Sequence, residues 1–115
     1  MATDNWKEDY SERFDELRKH RVELSRLKYG SAAKNFRTGN VNALQTMGLC
    51  INKYMETGNT EYLTDAANYL MFEFMYPQHP NAHFRATDSS ESAGVVGITE
   101  KEMEQLKLED EYGGY

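Results

Sequence analysis

From Asn68 to Tyr76 the sequence reads Asn-Tyr-Leu-Met-Phe-Glu-Phe-Met-Tyr, a run apolar on nearly every side of a helix, and Pro77 and Pro80 then stop it. A helix of that kind has to be covered, either by the centre of a core or by another subunit. In 115 residues there is room for one core and no more. Three helices have difficulty enclosing such a segment on all sides, so a homo-oligomer is expected.

The rest of the chain supplies the partners. Trp6, Tyr10, Phe14, Leu17, Leu24 and Leu27 recur at steps of three, four and seven, which predicts a first helix over residues 5–28. Its acidic start and basic end suit the helix dipole. Arg21 falls in that stripe and reads as a snorkelling side chain with a carboxylate partner. A second helix over 41–56 places Leu44, Met47, Gly48, Ile51, Tyr54 and Met55 on one face, with Asn40 as N-cap and Gly48 permitting close packing. The third helix, 60–76, carries Leu63, Ala66, Ala67, Leu70 and Phe74. Thr-Gly-Asn precedes both later helices, at 38–40 and 57–59, and reads as shared capping chemistry rather than a repeat. Residues 77–97 form a long irregular loop. Thr99 and Glu102 then make a capping box, with Ile98 and Met103 at the staple positions, and open a short helix. The expected fold class is therefore all-α: a bundle of three long helices plus a short C-terminal helix. Residues 1–97 form the helical domain, and 98–115 a short acidic helix and mobile tail.

Composition narrows the setting. No apolar run approaches the length of a bilayer span, the N-terminus has no secretory pattern, and Cys50 is the lone cysteine. The expectation is a cytoplasmic protein with no membrane contact. The net charge of -6 is unevenly distributed. Residues 1–86 hold 11 acidic and 11 basic side chains, whereas 87–115 hold 8 acidic and 2 basic. The body is neutral and the tail acidic, which argues against direct sequence-specific DNA binding.

Chemistry concentrates between His79 and Ser90. Arg85, Thr87 and Ser89, with His79, His83 and Asp88 alongside, combine a planar guanidinium with hydroxyls in the manner of an anion or ligand loop. His79 and His83 have the spacing of a helical metal pair, but Pro80 breaks the helix between them and thiolate partners are lacking, so no metal site is assigned. The alternative role for these imidazoles is to brace the proline turn. Glu73 stands in an apolar series and needs a partner such as Arg21, Arg37 or Arg85, as a structural ion pair or as a catalytic carboxylate. Cys50 lies beside Leu49 and Ile51 and reads as buried rather than reactive. No nucleophile–base arrangement is legible, so no catalytic residue and no cofactor is assigned.

Two resemblances bear on function. Glu61 and Asp65 share a helix face and resemble half of the magnesium-binding acids of MazG-like pyrophosphatases. The other half is missing, because the second helix offers only Glu56. Over Thr-Gly-Asn-Thr-Glu-Tyr-Leu-Thr-Asp-Ala-Ala-Asn-Tyr-Leu-Met-Phe-Glu-Phe-Met-Tyr-Pro (57–77) and Ala-His-Phe-Arg-Ala-Thr-Asp-Ser (82–89), the chain resembles small proteins from phages and integrative elements, with the likeness extending over 29–97. That resemblance implies a mobile-element accessory protein that acts against host defence, an anti-CRISPR-type inhibitor of a host protein or ribonucleoprotein complex. Glu102, Glu104, Glu109, Asp110 and Glu111 would then form its acidic binding surface. The competing expectation is a nucleotide-binding protein, either sequestering a signalling nucleotide or acting as a divergent pyrophosphohydrolase.

Overall fold

The computed structural model describes residues 4–97 and Glu104. Among them the secondary structure is helical throughout: α1 is Glu12–Tyr29, α2 is Ala43–Thr57 and α3 is Glu61–Met75. The expected all-α class with three long helices is what the chain forms. The contacts divide it into two compact units, Met1–Ala82 and His83–Tyr115.

Within the first unit the expected 5–28 helix is broken. Asp4–Asp9 is a 3-10 turn, and α1 begins only after Ser11, whose hydroxyl accepts the Phe14 amide at 3.0 Å. Serine at this position satisfies a backbone donor that would otherwise be orphaned, and so competes with continuing the helix upstream. The Tyr10 hydroxyl donates to Asp15, which also pairs with Arg18, and this ties the break to the new helix. The N-cap of α2 is Asn42 rather than Asn40, its side chain accepting the Gln45 amide at 3.0 Å. Gly58 closes α2 in the left-handed conformation (φ 75°) that only glycine adopts freely. Asn59 accepts the Glu61 amide at 3.0 Å, so α3 leaves antiparallel to α2 after a very short turn.

α3 is the shared element, packing along α2 on one side and meeting α1 on another. The core is small. Phe36, Ala43 and Phe72 form its buried centre, with Val22, Ala32, Val41, Tyr69, Met71 and Tyr76 packed around them. Phe36 comes from the segment between α1 and α2, expected to be merely a connection, where Ala33–Arg37 winds into a π-helical turn. That turn aims Phe36 at α3, where its ring stacks on Phe72 at 4.6 Å and tilts against Tyr69 at 5.9 Å. Gln78 fastens the exit of α3 to the same segment, donating to the Phe36 carbonyl at 2.9 Å while its own amide reaches Glu73. Glu73 is thus a helix-exit acceptor, and among the described residues it forms no ion pair with Arg21, Arg37 or Arg85.

The stripe on the first helix is not the packed face. Trp6, Tyr10, Leu17 and Leu27 are exposed, the last at 84%. α1 instead meets α3 through Val22, packed against the Phe36–Phe72 centre, and through polar groups. Arg21 grips Asp65 with two hydrogen bonds of 2.9 and 3.1 Å, and Asn68 donates to the Arg18 carbonyl at 2.9 Å. The carboxylate partner expected for Arg21 is therefore present. The 68–76 run is covered on one side only: Asn68 and Phe72 are buried, whereas Leu70, Phe74 and Met75 are exposed. Gly48 also differs from expectation, since a Cβ built there meets nothing within 4 Å, so it marks open surface rather than a close helix approach. The short C-terminal helix and mobile tail expected over 98–115 lie outside the described residues, apart from Glu104, which is helical.

Because so few side chains are buried, stability concentrates in the aromatic stack. Phe36→Ala is expected to cost about 3–5 kcal/mol, whereas Leu27→Ala should stay within about 0.5 kcal/mol. Urea unfolding of both variants against the parent chain checks the contrast.

Candidate functional site

Three regions carry the chemistry. The first is a cleft of about 460 Å³ between the N-terminal half of α1 and the start of α3. Its apolar lining is Phe14, Leu17 and Leu63, and its polar rim includes Arg13, His20 and Glu61. The volume lies within the range of small-ligand pockets. Arg13 and His20 have no hydrogen-bond or ion-pair partner among the described residues, so their donors are available at the rim. Neither was singled out from the sequence. Their only signal was a place on the first helix close to the start of the third, which no linear pattern records.

Glu61 and Asp65, compared above with magnesium ligands, do share a face, but what they hold is Arg21, at 3.6 and 2.9 Å. Asp65 holds the guanidinium more firmly charged than an ordinary arginine, mainly through the hydrogen bond and against a smaller cost of burial. A cation already fills the position that a metal would take. Among the described residues no group of three His, Cys, Asp or Glu side chains is arranged to bind a metal ion.

The second region is the His79–Ser90 stretch, which divides between the two units. In the first unit the His79 ring accepts the Asn81 amide at 2.9 Å and its carbonyl accepts the Ala82 amide, so this imidazole braces the proline turn. In the second unit Arg85 is engaged by Glu91, with contacts of 2.6 and 3.4 Å. Asp88 caps the 3-10 turn Ser89–Glu91, accepting the Ser90 amide and hydroxyl, while Glu91 reaches back to the Asp88 amide. The segment thus brings Arg85, Asp88, Ser90 and Glu91 together. Thr87 and Ser89 are exposed beside this network, and the two oxygens of Glu91 occupy the guanidinium fork. Glu91 was the member not singled out from sequence, although the Asp-x-x-Glu capping pattern signalled it.

Arg85 holds the Glu91 carboxyl below the usual carboxylate range, and the Ser90 hydroxyl does the same for Asp88. Of the acidic residues assigned to a binding surface, Glu104 is exposed; Glu102, Glu109, Asp110 and Glu111 lie outside the described residues. Cys50, the remaining nucleophile candidate, is half-buried, and burial pushes its thiol up, away from thiolate chemistry.

The third region is the uncovered flank of the α2–α3 hairpin. Leu44, Ile51, Met55, Leu70 and Phe74 are all exposed there. Isolated apolar residues on a surface are ordinary, but a contiguous set is a sign of an interaction face. Among the described residues no helix is long and apolar enough to cross a membrane. No family model, curated protein or solved structure matches the chain.

The sign of the Glu91 shift sets a pH test. A carboxylate depressed in the folded state stabilises its turn above its ordinary range, and that contribution disappears as pH falls through the depressed value. Arg85→Ala should therefore move the Glu91 titration upward and release the Asp88 amide, which Glu91 accepts, at a higher pH, both followed by two-dimensional NMR.

Proposed function

We propose that the chain is a binding protein rather than an enzyme, a phage or mobile-element accessory product that inhibits a host defence complex by occupying it, in the manner of anti-CRISPR inhibitors. The observation that carries this reading is the engagement of Arg85 by Glu91. With that pair set aside, the stretch from His83 onward offers 7 acidic residues against 2 basic ones. A protein groove built for phosphates is complementary to such a surface. Glu102, Glu104, Glu109, Asp110 and Glu111 supply the densest part of it. The partner is then a host protein or ribonucleoprotein with a basic groove, met in the host cytosol, and DNA itself is not a ligand. We take the acting species to be a homo-oligomer.

The experiment is a titration of the purified chain into target cleavage by RNA-guided nuclease complexes. The parent chain should inhibit at least one complex, less so at higher salt. Reversing Glu102, Glu104, Glu109, Asp110 and Glu111 to lysine should weaken inhibition by roughly tenfold or more. Equal potency of the charge-reversed chain would remove the acidic surface from the reading.

A second reading, nucleotide binding, is favoured by the cleft of about 460 Å³ with Arg13 and His20 at its rim. It uses these residues in place of the Arg85 segment. A thermal-shift screen with and without magnesium tests it, since a ligand at 100 times its dissociation constant stabilises by about 2.7 kcal/mol. A shift that Arg13→Ala abolishes would favour the nucleotide reading, and the absence of any shift would dismiss it.

A further inference from the structure

We infer that the chain forms a two-fold homodimer through the apolar flank shared by α2 and α3, two hairpins closing face to face into a four-helix core. The inference rests on the self-association proposed above, and it names the surface and the partner. Successive residues of a helix turn by about 100°. In α2, buried Ala43 and half-buried Met47, Cys50 and Tyr54 fall on one side, which is the side packed on α3. Leu44, Ile51 and Met55 lie about a quarter-turn round from it. In α3, Leu63, Ala67, Leu70 and Phe74 form a stripe about a quarter-turn from the side of buried Ala66, taken as the side packed on α2. Both rotations have the same sense about their own helix. The helices run antiparallel, so the two stripes emerge on the same side of the hairpin. α1 meets α3 at Asp65 and Asn68 and borders Leu63 across the cleft, leaving Leu70 and Phe74 of this stripe exposed.

The face has the size and character of a dimer interface. Leu44, Ile51, Met55, Leu70 and Phe74 are 48, 40, 76, 51 and 72% exposed. Together they show on the order of 500 Å² per copy, so full burial of these five side chains in two facing copies removes about 1,000 Å², the lower bound for a specific interface. Neither stripe contains a charged residue, so pairing desolvates no ion. Residues 1–86 balance 11 acidic against 11 basic side chains, and two copies of this body meet without net repulsion. Gly48, with open space where its Cβ would stand, leaves a notch in α2 for a protruding Met55 or Phe74 of the second copy.

Sedimentation equilibrium of the full chain over a wide concentration range tests the state, and substitution tests the surface. The expected species has twice the 13.3 kDa chain mass. Met55→Glu and Phe74→Glu should each weaken association by roughly tenfold or more, with far-UV circular dichroism unchanged because both side chains are exposed within one copy. Hydroxyl-radical footprinting of the unsubstituted chain supplies a readout independent of folding variants. Met55 and Phe74 should be protected at high concentration and reactive on dilution, while Trp6 and Tyr29 react throughout. A monomer at all concentrations overturns self-association and this interface together. A dimer in which both glutamate variants still pair, or in which Met55 and Phe74 stay reactive, overturns the interface alone and leaves self-association standing.

Discussion

The stack of Phe36 on Phe72 is the contact on which the helical unit depends. It joins the segment between α1 and α2 to the middle of α3, and it recruits Tyr69 edge-on from the same helix. Val22 of α1, Val41 and Ala43 at the start of α2, and Tyr76 at the end of α3 pack around those rings. Arg37 adds its guanidinium over the Tyr76 ring at 5.2 Å, close to where Gln78 ties the exit of α3 to the Phe36 carbonyl. Without the π-helical turn that delivers Phe36, α3 would have no common centre for its neighbours.

Around that centre the unit is held in two different ways. α2 and α3 pack as an amphipathic hairpin, driven by apolar burial. α1 is attached by Arg21 on Asp65 and by Asn68 on a backbone carbonyl, directional contacts that specify where the helix sits more than how stable it is. One oxygen of Asn68 is buried without a partner, beside a small cavity of about 30 Å³ lined by Ser25, Asp65 and Tyr69. A single water is the natural occupant of such a space. Directional attachment leaves the aromatic stripe of the first helix facing outward. It also opens the cleft whose rim carries Arg13 and His20.

The proposed function draws on how charge and apolar surface are separated. Helical residues supply an uncharged flank suited to a second copy, while the stretch after His83 supplies carboxylates suited to a basic groove. Assembly and partner binding would then draw on different physical forces. Apolar association is nearly indifferent to salt, whereas the acidic contact is screened by it.

Periodicity and turn chemistry were sufficient for the helical class, the three long helices, the proline stop after α3 and the need of Arg21 for a carboxylate, because each is a local property of spacing or of one side chain. The neutral body and acidic end were legible for the same reason. Tertiary structure alone decided that Phe36 is core, that Ser11 breaks the first helix, that Glu73 serves a helix exit, and that Arg85 is engaged by Glu91. A hydrophobic period marks which residues share a face, but not whether that face finds a partner. The stripe from Trp6 to Leu27 is a regular one, yet it faces outward, because α3 offers α1 a carboxylate and an amide where the two helices meet.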